Sequence, residues 1–429
     1  MATPPLSSST PGPAAGRDPR NRLFVAALGI GQICSWGSLY YSFPLIAAAM
    51  GPELGWSKPD LYLAATIGLG VSGLAAYPVG AAIDRGHGRL VMGLGALLGG
   101  VLLVAWSQVA SLALFYLLFV GIGVAQAATL YDAAFASVMR RVGPDQARRG
   151  ITAVTLWAGF ASTVFVPLIQ FMLDQLGWRD TLIVLAGINM AISGGLYFSA
   201  VRPARDLPPA APATGAPPPM QGRRAVAWAL RRPVFWLLAL AFVAYTAFFS
   251  AFTFHIYPLL LERGMTTDAV VTVMTIIGPA QVLGRIIVWT LAPKASVRMV
   301  GSLIVVLFPL SLVAFATLPP DLVLLGITAL FWGAANGIIT IVRGLAVPEL
   351  LTRQAYGAVN GALVAPQLIA MALAPLAAAG LWAASGSYDT VMLALIAGSV
   401  VMVAGFWAAS ILSRRPGHGP DEMRAARER

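Results

Sequence analysis

Predominantly apolar stretches, each long enough to cross a bilayer, recur along residues 23 to 413, and the basic residues between them fall almost entirely in alternate gaps. A hydrocarbon core takes about 20 apolar residues per helical crossing. Within it only helices or closed barrels satisfy every backbone N–H and C=O group. There are twelve such stretches, so the expected fold is an all-α membrane protein of twelve transmembrane helices. A hydrophobic fraction of 58% with only 10% charged residues, and a mean hydropathy of +0.78, leaves too little polar surface to solvate a globule of 429 residues.

The expected spans are 23 to 49, 60 to 83, 90 to 109, 112 to 139, 150 to 173 and 180 to 201, then 233 to 261, 269 to 292, 297 to 317, 321 to 348, 355 to 384 and 388 to 412. Of the 28 Lys and Arg residues, 23 lie in the two tails and the loops after even-numbered spans, while the opposite loops hold only Lys58, Arg179 and Arg263. By the positive-inside rule both termini are cytoplasmic in a cell (inner) membrane protein. The net charge of +11 is then topological, facing cytosol and anionic lipid, with no nucleic-acid partner implied. The resulting division is a disordered tail over 1–21 without signal-peptide character, a six-helix bundle over 22–201, a cytoplasmic linker over 202–232 rich in Pro and Ala, a second six-helix bundle over 233–413, and a tail over 414–429.

The halves resemble each other. Glu53-Leu54-Gly55-Trp56-Ser57 is echoed 209 residues later by Glu262-Arg263-Gly264-Met265-Thr266, and Phe43-Pro44 is matched by Tyr257-Pro258. An offset of 211 residues lays Arg343 over Asp132 and Gly361 over Gly150. Parallel six-helix repeats around a central linker are the layout of transporters that rock one half against the other about a site at the bilayer midplane.

The loop after the second span reads Gly80-Ala81-Ala82-Ile83-Asp84-Arg85-Gly86-His87-Gly88-Arg89, which resembles the G-x-x-x-D-R-x-G-R signature of the major facilitator superfamily. That resemblance implies a conformational latch, with Gly80, Asp84, Arg85, Gly88 and Arg89 meeting span ends and not substrate. Gly284-Arg285, with Lys294 at the end of the same span, is similar to the monocarboxylate and oxalate-formate branch, where the arginine binds a substrate carboxylate; Leu45 and Gln281 stand where that branch carries lysine and aspartate. The tract Leu130-Tyr131-Asp132-Ala133-Ala134-Phe135-Ala136 resembles a bacterial subgroup with relatives linked to metalloid resistance. The span-four arginine and the G-P-x-x-G-G run of proton-coupled drug antiporters are absent from the fourth and fifth spans.

Ionisable groups deep in a bilayer cost several kcal/mol unless paired or hydrated, so each is a candidate functional residue. Arg285 is the expected carboxylate clamp, because a guanidinium is charged at any physiological pH and donates in a fork; a helix-pairing or snorkelling arginine is the alternative. Asp132 and Arg343 occupy equivalent spans and are expected to form a gating ion pair, with two alternatives: Asp132 carries a coupling proton, or the pair is a static brace. His255 titrates in the range a proton-driven carrier uses, although a histidine among Phe252, Phe254 and Tyr257 also suits helix packing. Tyr40, Gln32, Asn336 and Gln281 complete the expected substrate contacts, with helix-to-helix hydrogen bonding as their other common use.

No Walker-type nucleotide loop, H-E-x-x-H or G-x-S-x-G elbow is encoded, and one cysteine cannot build a thiolate cluster. The expected function is therefore not an enzyme's, and no cofactor or metal is implied. It is secondary active transport of a small solute by alternating access, with a small organic anion and a coupling proton as partners, by a monomer in the lipid bilayer. Two other readings stand beside it: efflux of a toxic solute such as a drug or a trivalent metalloid handled by Cys34, and a non-transporting membrane sensor.

Overall fold

The computed structural model describes residues 19–207 and 222–415, and every regular element among them is helical. Most of both expected tails and the middle of the expected linker lie outside the described residues.

The first half begins with α1 (Pro19–Trp36), which continues through a π-helical turn at Gly37–Tyr41 into α2 (Ser42–Leu54). The next helix, α3 (Lys58–Ala82), opens on a reciprocal cap: the Ser57 hydroxyl accepts from the Asp60 amide while the Asp60 carboxylate accepts from that of Ser57. A π turn at Ile83–His87, with Gly86 at φ 94°, leads into α4 (Gly88–Ser107). The fourth expected span is not continuous. It divides into α5 (Leu112–Thr129) and α6 (Tyr131–Val142) at Leu130, whose ψ of −164° is extended. Then come α7 (Pro144–Ala158), α8 (Ala161–Ile188), interrupted at Gly177 with φ 76°, and α9 (Gly195–Ala200).

The 202–232 segment was expected to be linker throughout, but it contains a helix, α10 (Gly222–Leu230). Its small residues Gly222, Ala225 and Ala229 recur with helical spacing and are buried, and the helix packs on α15 (Tyr356–Ser385). The second half comprises α11 (Pro233–Glu262), α12 (Thr267–Leu291), α13 (Val297–Thr317), α14 (Leu322–Ala346), α15 and α16 (Tyr388–Leu412). Side-chain caps start four of these: Thr266, Ser296, Asp321 and Ser387 each accept a backbone N–H of the first turn.

Ten helical runs among the described residues are long and apolar enough to cross a membrane. Two of them, Asp60–Ser107 and Gln146–Ala200, hold 48 and 55 residues. At 1.5 Å per residue a straight helix of that length is about twice the ~30 Å hydrocarbon thickness, and both runs are broken at a glycine of positive φ.

Surface chemistry is inverted relative to a soluble protein. Along α4, Leu90, Leu94 and Val101 point outward, 51 to 55% exposed, while Gly95 and Gly99 on the same helix face Ala128 and Asn189. Aromatic side chains fill both interiors: Trp106, Phe115 and Phe119 in the first half, Phe252, Phe308 and Trp332 in the second. The halves meet along two seams toward the end that carries residue 19 and residue 415. In the first, α3 lies on α15 so closely that Gly80 touches the Gly357 backbone and Gly361 that of Ala76. In the second, α7 lies on α12 and α14, and Arg148 pairs with Glu349 at 3.1 Å.

Candidate functional site

Above the closed seams, between the halves, is a cavity of about 150 Å³. The first half contributes Trp36 and Tyr40 from the π turn region, Ser72 from α3, and Gln126, Tyr131 and Asp132 from the two sides of the Leu130 break. The second half contributes Thr246 from α11, Thr340 and Arg343 from α14, and Asn360 and Gln367 from α15.

The break at Leu130 places Asp132 in the first turn of α6, where free backbone N–H groups and the helix dipole favour an anion. Asp132 Oδ1 accepts from Asn360 Nδ2 at 2.9 Å, a bond between the two halves. Arg343 donates through one Nη to Gln367 Oε1 at 2.5 Å, and its guanidinium carbon lies 5.6 Å from the Tyr245 ring centroid. Its Nε is buried and has no hydrogen-bond partner among the described residues. The two groups share the cavity wall, but no ion pair joins them; each is held by a neutral amide of α15. The expected direct pair is therefore absent in this conformation, because Asn360 and Gln367 stand seven residues apart on one face of α15 and reach both charges first.

Most of the other expected substrate contacts lie elsewhere. Arg285 is 5% exposed and does not line the cavity; its Nε donates to the Gly337 carbonyl at 3.3 Å, and its guanidinium lies against Gly159, where a Cβ would collide with it. It thus sits inside the α7–α12–α14 seam. Gln281 approaches Gly337 through its backbone, holding α12 against α14. Gln32 is fully buried within the first half, where its Nε2 donates to the Thr129 carbonyl at 2.5 Å and to the Tyr197 hydroxyl at 3.1 Å. Thr129 is the last residue of α5, so its carbonyl has lost its intrahelical donor at the break, and Gln32 replaces that donor. Asn336 accepts from the Tyr245 hydroxyl behind the wall. His255 bonds through both ring nitrogens, to the Tyr388 hydroxyl and the Pro375 carbonyl, each at 3.0 Å, and so ties α11 to α15 and α16. Cys34 is buried in the apolar core of the first half and is not on the wall. Of these expected contacts, Tyr40 alone lines the cavity, packed edge-on against Trp36.

The Asp84 carboxylate crosses between the halves and accepts from the Gly357 and Ala358 amides at 2.9 and 2.8 Å. It supplies the cap that α15 lacks, since the helix begins after Ala355, an alanine at φ 47° with no side-chain acceptor. Arg140 holds the same loop by donating to the Asp84 carbonyl at 2.5 Å and to the Asp206 carboxylate at 2.9 Å. Arg85 and Arg89 are exposed; Arg85 reaches toward Gly222 at the start of α10, and Arg89 has no hydrogen bond among the described residues. Asn360, Gln367, Gln126 and Arg140 escaped the sequence reading. The seven-residue spacing of Asn360 and Gln367 in an otherwise apolar span was the available signal.

A latched pair of helical halves around a polar cavity agrees with the family comparison: the sequence matches the Major Facilitator Superfamily over residues 28–375. The chain belongs to the major facilitator superfamily. Solved superfamily structures share its fold. The FucP transporter in its outward conformation matches with a TM-score of 0.70 at 14% identity, over 92% of this chain and 99% of that one. A variant of the E. coli fucose:proton symporter FucP matches with 0.69 at 13%, over 92% and 99%. The human organic anion transporter MFSD10 (TETRAN) matches with 0.68 at 15%, over 91% and 100%. No curated protein matches at the sequence level. As a member of the superfamily the chain is a multi-span membrane transporter of a small solute and not an enzyme.

Proposed function

We propose that this superfamily member is a secondary active transporter of a small organic anion, coupled to a proton, with Arg343 as the anion's anchor and Asp132 as the proton carrier. The observation that carries the reading is the cavity wall: one arginine and one aspartate, on opposite halves, each bonded to a neutral amide and neither to the other. An arginine with one donor engaged and a buried Nε unpartnered has guanidinium capacity left for a carboxylate. A carboxylate arriving beside Asp132 repels the ionised acid, so binding favours taking up a proton there. Proton and anion then load together, and the cavity returns no net charge. The printed name of MFSD10 as an organic anion transporter and of FucP as a proton symporter lends the reading context. Arg285 serves in it as a seam residue.

The topology belongs to the same proposal. If each of the two long runs crosses twice, the chain has twelve crossings in two six-helix halves, over 22–201 and 233–413. Both termini are then cytoplasmic in the inner membrane, the closed seams are the cytoplasmic gate, and the carrier works as a monomer. Alternating access opens those seams while the opposite end closes.

Purified protein in proteoliposomes tests this. Counterflow of radiolabelled short carboxylates should be saturable, should quicken when the outside is acidic, and should vanish in Arg343→Gln. Absence of carboxylate-dependent flux across a panel of such acids, with protein that remains folded, overturns the assignment.

A further inference from the structure

A second recess lies outside the central cavity, on the flank of the molecule where α1, α7 and α12 converge. Two adjoining pockets of about 470 and 190 Å³ share Arg149 and Trp289 and together form a groove larger than the central cavity. Three arginines line it. Arg22, in the first turn of α1, and Arg149, in the second turn of α7, are exposed, and neither has a hydrogen-bond or ion-pair partner among the described residues. Arg148, on the same wall, is already committed to Glu349. The rest of the groove is mostly apolar, with Val25, Trp157 and Trp289 beside the polar Asn21, Gln146 and Thr152, the two tryptophans being 42 and 43% exposed.

We propose that this groove binds one anionic phospholipid, its head phosphate on Arg22 and Arg149 and its acyl chains over Trp157 and Trp289. Charge complementarity selects the head: two unpaired guanidiniums at the membrane boundary favour a net-negative lipid over a zwitterionic one, whose own cation cancels the attraction. Extent selects a lipid over a soluble anion, because an inorganic phosphate would engage the arginines alone, whereas one phospholipid engages the arginines and the apolar floor with both indoles together. Tryptophan is the side chain best suited to the boundary where one end is wet and the other apolar. Since α1 and α7 belong to one half and α12 to the other, the lipid bridges a seam that must part during transport.

The test uses the full-length protein in nanodiscs of phosphatidylcholine doped with phosphatidylglycerol carrying brominated chains, which quench nearby indoles. The proposal expects strong quenching by brominated phosphatidylglycerol, weaker quenching by brominated phosphatidylcholine, and loss of the difference in the Trp157→Phe/Trp289→Phe protein. Native mass spectrometry of detergent-purified protein should show phosphatidylglycerol binding weakened roughly tenfold or more by Arg22→Gln/Arg149→Gln. Both arginines are exposed, so this variant should melt like the parent; should it not, the quenching comparison on unaltered protein decides. Equal quenching by the two lipids, or unchanged phosphatidylglycerol affinity in the double variant, would mean ordinary boundary lipid and overturn the proposal. Competition by inorganic phosphate alone, abolished by the same double variant, would reassign the groove to a soluble anion and overturn it as well.

Discussion

Arg343 and Gln32 show how polar side chains on spans of opposite halves serve different ends. Arg343 faces the cavity with its Nε unpartnered, so a substitution there acts on ligand first. Arg343→Lys keeps the charge but loses the fork; carboxylate affinity should fall at least about tenfold while the melting temperature moves little, read by isothermal titration and thermal unfolding. Asp132→Asn should leave exchange of anion for anion but abolish acceleration by an acidic exterior, read as counterflow against pH-driven uptake. Gln32 faces inward and completes the broken end of α5. Gln32→Leu leaves the Thr129 carbonyl short of its strongest donor, a loss of about 1–3 kcal/mol of stability with no change in substrate affinity. Equal losses of affinity in Arg343→Lys and Gln32→Leu would show that the wall has been misread.

At the scale of elements, the closed end depends on helices that borrow their ends from the opposite half. Asp84 caps α15 across the seam, which explains how Ala355 can occupy a left-handed conformation without a capping side chain of its own. A lost helix N-cap costs about 1–2 kcal/mol, so Asp84→Ala should lower the closed population roughly tenfold. Paired spin labels across the α3–α15 seam would register this as a longer distance distribution. Gly80→Val makes a steric version of the same experiment: its side chain would meet the Gly357 backbone, which cannot move aside as a side chain can. The variant should fold, as the site is on a seam and not inside either half, yet bind substrate without completing transport. Gly159 is the counterpart on the second seam, where Arg285 occupies the space a Cβ would need.

For the whole molecule, close backbone contact along the α3–α15 seam outweighs the ion pair across the second seam. Arg148 and Glu349 are 18 and 29% exposed, and partly solvated pairs contribute about 0–1 kcal/mol. Glu349 also accepts from the Val297 amide at 2.8 Å, so the pair is tested from its other side: Arg148→Gln should transport nearly as well as the parent. Arg148→Glu alone, which sets two carboxylates against each other, should favour opening, as measured with the same spin-label pair.

The apolar runs were enough to announce helices, and in the second half some ends agree closely: the spans expected at 297 to 317 and 388 to 412 are α13 and α16, whereas those expected at 150 to 173 and 180 to 201 are divided otherwise, into α7, α8 and α9. Hydrocarbon imposes that legibility, because each crossing must satisfy its backbone within itself and needs a fixed length, both local properties of the chain. The signature loop was equally readable, as its glycine and aspartate spacing is local. The site was not. Asp132 and Arg343 attract notice in any sequence because charge in a membrane is costly, but so does Arg285, and only the fold turns the first two toward a cavity and the third into a seam. Asn360 and Gln367 share α15 but met those charges differently: Gln367 bonds Arg343 within the second half, 24 residues away, whereas Asn360 reaches Asp132 in the first half, 228 residues away, through the packing of α15 against α3 and α6. Depth in the bilayer is written along one chain; which side chains share a chamber depends on how separate helices rotate and cross, and that is settled by small residues admitting close approach at a few points.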